Sequence, residues 1–174
     1  MTPLEQVTEF HQAFGSAIAE PWTPELAELR ATLIMEECDE LVCAVLIGNR
    51  EGIAQELADL AYVTIGTAVA FSLSCAPLEI DHRKTLRTRC LTLRDLLTVG
   101  NLHGIEIGIS WVMRALYDVA LDHCIDLDVA ITAVHIANMS KLGPDGEPIY
   151  RPDGKVMKGP DFIPPNLAVA LMDA

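Results

Sequence analysis

Between Pro24 and Cys75 the chain holds two long segments, parted only at Gly48-Asn49, that are apolar almost all the way round. A helix with that pattern belongs in a core, because no face of it is polar enough to meet water. Set into these segments are five carboxylates: Glu36, Glu37 and Glu40 in the first, Glu56 and Asp59 in the second. Helix residues three and four apart share a face, so Glu36/Glu40, Glu37/Glu40 and Glu56/Asp59 point together. Like charges placed that way destabilise a helix unless something positive lies between them. Carboxylates on a core helix need a partner or a metal. Hard divalent cations, Mg²⁺ or Mn²⁺, take oxygen ligands and suit such a cluster. A solvated acidic stripe is the competing reading, since Thr32, Asp39 and Arg50 border the acidic arc.

Start and stop signals divide the chain into helices. Thr2-Pro3 opens the first, over residues 3–19, with Val7, Phe10, Phe14 and Ile18 inward. Thr23-Pro24 opens a second that runs to Ile47 and is closed by Gly48. A third runs from Glu51 to Cys75 and stops before Pro77. Residues 79–98 read as a solvated helix carrying Arg83, Lys84, Arg87, Arg89 and Arg94, with Leu86, Leu93 and Leu97 inward. A turn at Gly100-Asn101 leads to a helix over 102–123 that packs through Trp111, Leu116 and Val119. Asp126 caps the last helix, Leu127 to Ser140. The expected fold is therefore all-α: one helical-bundle domain over residues 1–174, its tail from 142 to 174 rich in Gly and Pro.

Composition narrows the function. A net charge of −13 argues against nonspecific nucleic-acid binding and against an anionic membrane surface. Leu60 to Leu78 is uncharged, but Thr64, Thr67, Ser72, Ser74 and Pro77 interrupt it and acids flank it, so a buried bundle helix is expected rather than a membrane span. Cys38, Cys43, Cys75, Cys90 and Cys124 form no CxxC pair and read as reduced core residues of a cytoplasmic protein. No signal peptide is expected from MTPLEQVTEF, which lacks a basic start and an apolar run. At 51% hydrophobic the chain is apolar for its size, which an oligomer would explain. P-loop, HExxH, GxSxG and GxGxxG motifs are absent, and Glu79-x-x-His82 is a single copy of a motif that di-iron bundles need twice. Metal–carboxylate chemistry is what remains.

Glu36-Glu37-x-x-Glu40 followed by Glu56-x-x-Asp59 resembles the EExxE…ExxD signature of the MazG-like all-α nucleoside triphosphate pyrophosphohydrolases. The lead-in Arg30-x-x-Leu33-Ile34 is similar to that family as well. Phe10-His11-x-x-Phe14-Gly15 resembles the opening of its small phage and bacterial members, where the first helix lies near the nucleotide. Asn138-x-x-Lys141 is similar to the helix end that faces the triphosphate there, and Gly154-Lys155-x-x-Lys158-Gly159-Pro160 to C-terminal strings of phage-type relatives.

The resemblance implies a bundle that pairs with a second subunit, as a homodimer or homotetramer, and hydrolysis of a triphosphate to monophosphate and diphosphate. Two or three Mg²⁺ or Mn²⁺ ions would sit among Glu36, Glu37, Glu40, Glu56 and Asp59, with Glu37 as general base. His11, Asn138, Lys141, Lys155 and Lys158 would contact substrate. The layout is closest to the phage MazZ branch, which puts dGTP first, dUTP next and a broad house-cleaning role after it. Each contact has a plainer reading: His11 and its neighbours as core, Lys141 as a cation favoured by the helix dipole, the tail as mere packing. A catalytically silent helical binding protein and a di-iron or metal-storage protein are the rivals from other classes.

Overall fold

In the computed structural model, described at residues 1–78, 84–150 and 156–172, six helices carry the chain. They are α1 Pro3–Ala13, α2 Pro24–Ile47, α3 Arg50–Phe71, α4 Leu86–Val99, α5 Leu102–Asp122 and α6 Leu127–Met139, followed by a 3₁₀ turn at Leu167–Ala170. Among the described residues there is no strand, only isolated bridges. The all-α expectation holds.

Helix α3 is the hub, packed against α1, α2, α5 and α6. Its uncharged stretch explains this: Leu60, Ala61, Ile65, Ala68 and Ala70 are almost wholly buried, and the hydroxyls of Thr64 and Thr67 go in with them. No helix among the described residues is long and apolar enough to cross a membrane. Around this hub α2 packs on α3 and α4, α4 on α5, and α6 on α3 and α1.

The boundaries follow the local chemistry. Thr2 and Glu5 form a capping box at α1; Thr23, Thr85, Asn101 and Asp126 each accept a backbone N–H at the start of their helices. Gly48 closes α2 with φ 77°, a left-handed turn only glycine adopts without strain.

Three ends differ from the sequence expectation, one of them the start of α4, which lies at Leu86 after the Thr85 cap, with Lys84 and Thr85 outside the helix expected over 79–98. Helix α1 stops at Ala13 instead of residue 19, and Ile18 is left 37% exposed instead of joining Val7 and Phe14 in the core. The backbone N–H groups of Ala19 and Glu20 donate instead to the carbonyls of Val69 and Ala70, at 3.0 and 2.8 Å. Those carbonyls lie at the end of α3, where no further helical turn can satisfy them. Helix α3 itself stops at Phe71, four residues short, with Ser72 left-handed at φ 57°.

Helix α4 is less solvated than expected. Arg89 is 3% exposed, although Arg87 and Arg94 reach the surface to pair with Asp39 and Asp95. Its inner residues Leu93 and Leu97 are buried as expected, whereas residues 79–83 lie outside those described. Of the cysteines, Cys38 and Cys90 are buried but Cys43 is exposed. The tail folds back on the bundle: the Tyr150 hydroxyl donates to the Phe14 carbonyl at 2.7 Å, and Ile163 N–H to Ser140 Oγ at 2.9 Å.

Candidate active site

Helices α2 and α3 form a hairpin about Gly48-Asn49. Glu37 stands eleven residues before Gly48 and Asp59 ten after Asn49. Distances from the turn that differ by a single residue bring such positions nearly level across an antiparallel pair. One carboxylate oxygen from each of Glu37, Glu56 and Asp59 lies within 4.8 Å of the others, all three residues partly buried. Two carboxylates from one helix and one from the other thus meet at a single point.

Their charge has little relief. Burial, then the charges of Asp59, Glu40, Glu56 and Glu36, push the Glu37 carboxyl up to about 8. Burial, followed by the charges of Asp59 and Glu40, raises Glu56 to about 7. Asp59 rises only to about 6, because the Lys141 charge and a hydrogen bond from Gln55 oppose the burial. Glu56 Oε2 is buried with no hydrogen-bond partner. A buried, unpartnered carboxylate oxygen is costly unless something positive reaches it.

The other two members of the expected five lie beside this group. Glu40 stands close enough for its charge to act on Glu56, and both border a groove of about 470 Å³. Glu36 is exposed on the outer side of α2 and borders a different cavity, about 640 Å³, with Trp22 and Arg94. That cavity is the larger one, yet none of the three grouped carboxylates lines it.

Glu37 and Asp59 instead form one wall of a cavity of about 500 Å³. Asn138 and Lys141 line it from the end of α6, and His11 lines it from α1. Phe10, Leu26, Leu29, Leu33 and Val63 make its apolar walls. The His11 ring is buried, and its Nδ1 donates to the Ala17 carbonyl at 2.7 Å. Burial lowers its pKa, so Nε2 is left as an acceptor. Lys158 borders an adjoining cavity of about 300 Å³ together with Asp59, Asn138 and Lys141, its ammonium 4.4 Å from the Phe162 ring centroid. Lys155 lies outside the described residues.

Some wall residues were not among the sequence-derived candidates. Arg30 is 7% exposed, donates from Nε to Thr67 Oγ1 at 3.1 Å and from Nη2 to the Val63 carbonyl, and is brought down to about 10 by burial. It approaches so closely because residue 66 is glycine: a Cβ there would stand 2.6 Å from Arg30 Nη2 and 2.8 Å from His11 Nε2. Tyr62, three residues after Asp59, shares its helix face, and that spacing was the available signal.

Residues 7–82 match the phosphoribosyl-ATP pyrophosphohydrolase family. That family lies within the MazG-like all-α pyrophosphohydrolase superfamily, whose members use divalent metals. The matched segment contains His11, Arg30 and all five carboxylates but ends well before Asn138 and Lys141. No curated protein and no solved structure matches the chain.

Proposed function

We propose that this cavity hydrolyses a nucleoside triphosphate between its α and β phosphorus atoms, giving monophosphate and diphosphate. The observation that carries the reading is the meeting of Glu37, Glu56 and Asp59 within 4.8 Å beside Asn138 and Lys141. The donor set fits a divalent cation: hard oxygens, raised carboxyl pKa values, and a buried Glu56 oxygen lacking any partner. Glu37, Glu56 and Asp59 would hold the ions, with Glu40 at the margin; Glu36 stands apart from them. Mg²⁺ or Mn²⁺ supplies Lewis-acid polarisation of phosphate oxygens and a more acidic attacking water.

Glu37, which lines the cavity, would take the proton from the attacking water. Lys141 offers a point charge to the phosphate chain, and Lys158 a second from the neighbouring cavity. The planar base lies between the apolar walls of Phe10, Leu26 and Leu33. On the resemblance, dGTP is the first candidate. Next come dUTP, on the resemblance, and phosphoribosyl-ATP, on the family match. Exposed Leu46 (81%) and Ile47 (79%) support assembly as a homodimer or homotetramer.

Incubation with a panel of dNTPs, NTPs and phosphoribosyl-ATP, with Mg²⁺ or Mn²⁺, tests this when diphosphate is resolved from orthophosphate. Diphosphate release, fastest from dGTP and abolished by EDTA, is expected. Absence of diphosphate release from every substrate would end the reading.

A further inference from the structure

The cavity that Glu37 and Asp59 wall also holds a buried positive charge with nothing to answer it. Arg30 is 7% exposed; its Nε donates to Thr67 Oγ1 and its Nη2 to the Val63 carbonyl. Among the described residues no carboxylate pairs with this guanidinium, and Nη1 makes no hydrogen bond. A buried cation without a counter-charge is unfavourable, and a ligand that brings negative charge to it relieves the strain.

Across Gly66 stands His11, 3% exposed. A Cβ on residue 66 would lie 2.6 Å from Arg30 Nη2 and 2.8 Å from His11 Nε2, so the two side chains flank the space of one missing methyl group. A carbonyl only accepts, so the bond to Ala17 places the His11 hydrogen on Nδ1. Beside a guanidinium a second cation is disfavoured, and Nε2 keeps its lone pair. This wall of the cavity thus shows a charged donor and a neutral acceptor side by side.

The hairpin register that sets Glu37 beside Asp59 also sets Arg30 beside Gly66: Arg30 precedes Glu37 by seven residues, and Gly66 follows Asp59 by seven. Seven residues make two turns on one helix face, about 10 Å along the axis. That is comparable to the span from the α-phosphate of a nucleotide to the far edge of its base. We propose that Arg30 and His11 read that edge and select a lactam: Arg30 Nη1 donates to the exocyclic carbonyl oxygen, and the adjacent ring N–H donates to His11 Nε2. Guanine, hypoxanthine, uracil and thymine present this edge. Adenine and cytosine put an amino group, with positive hydrogens, where the lactam has its oxygen, and an uncompensated guanidinium repels it. Phosphoribosyl-ATP carries a substituent on that ring nitrogen and has no N–H to give. The proposal rests on the hydrolase reading, and its test keeps the two apart.

Binding is measured first, without turnover, by calorimetry in Mg²⁺ with the α,β-methylene analogues of dGTP, dITP, dUTP, dATP and dCTP. The three lactam analogues are expected to bind about 100-fold or more tighter than the two amino ones, because a site built for one hydrogen-bond pattern rejects a base that lacks it. The dITP analogue, which loses only the 2-amino group, should stay close to that of dGTP. In Arg30→Met the preference should shrink to below about 10-fold. That variant leaves the Val63 carbonyl satisfied, since Thr67 Oγ1 donates to it at 2.9 Å, and it removes a buried charge. Its melting temperature without nucleotide should therefore not fall.

A merely structural Arg30 predicts the reverse, a lower melting temperature with the preference kept, and that result would overturn the proposal. Equal affinity for the dATP or dCTP analogue in the wild type would overturn it too, and this panel decides by itself if the variant does not fold. Selective binding of lactam analogues without diphosphate release from any triphosphate leaves the base reading standing and ends the hydrolase reading alone. Diphosphate release at one rate from all five parent triphosphates does the opposite.

Discussion

Asp59→Asn removes one charge from the carboxylate group while keeping its size, so it separates the strain of the cluster from its function. Burial holds the Asp59 carboxyl at about 6, against its ordinary 3.8, in spite of Lys141 and Gln55. At about 1.4 kcal/mol per pKa unit, that gap corresponds to roughly 3 kcal/mol of destabilisation once the group is ionised. Solvent around a partly buried side chain trims this to about 2 kcal/mol. The folded-state pKa is the higher one, so the folded state binds the proton more tightly. The penalty is therefore small below the unfolded value, grows between about 4 and 6, and is complete above the folded value. In EDTA at pH 7.5 the Asn variant should melt about 4–8 °C above the wild type, and most of that gap should close by pH 4. Saturating Mn²⁺ at pH 7.5 should reverse the order, because the wild type alone retains a complete ligand set. Paired thermal melts decide it: an Asn variant less stable than wild type in EDTA at pH 7.5 would refute the idea that these carboxylates are held together at a cost.

The same three groups set the pH dependence of metal binding. Glu37, Glu56 and Asp59 must shed protons held up to about 8, 7 and 6, so Mn²⁺ affinity should climb between pH 6 and 8. Calorimetry in two buffers of different ionisation heat would reveal the released protons, and a buffer-independent heat would contradict it. Lys141→Met should lose about 100-fold or more of kcat/KM, as removal of a charge aimed at a developing anion does. Its melting temperature in EDTA at pH 7.5 should fall as well, because the Lys141 charge relieves Asp59, a combination read from steady-state kinetics beside a melt. Gly66→Ala places a methyl 2.6 Å from Arg30 Nη2 and 2.8 Å from His11 Nε2. It should cost about 1–3 kcal/mol of stability by overpacking and raise KM by displacing both side chains from the cavity wall.

Much of the bundle was legible because its signals are local. Thr23-Pro24 and Gly48 bound α2 at the residues expected, and Asp126 caps α6. The carboxylates were legible in part: spacing puts Glu37 and Glu40 on one face, but only the hairpin's register decides that Glu37 meets Asp59 while Glu36 turns outward. The end of α1 did carry a local signal: Gly15, left-handed at φ 62°, closes the helix as Ser16 N–H donates to the His11 carbonyl at 2.9 Å. The end of α3 was not readable, since Ser72-Leu73-Ser74 holds no helix breaker and Ser74 N–H is taken by Glu106 Oε1 of α5 at 2.9 Å. Burial of Arg89 escaped notice for a like reason: its neighbours come from other helices, and charge alone suggests solvent. Glu9 and His135 are 126 residues apart, and nothing local marks them as partners.

Anomalous diffraction from crystals grown with Mn²⁺ and a non-hydrolysable triphosphate tests the central claim most directly. Manganese within about 2.2 Å of oxygens from Glu37, Glu56 and Asp59, with the phosphate chain against Lys141, is the predicted result. Carboxylates left without metal, or manganese bound only beside Glu36 on the outer side of α2, would contradict it.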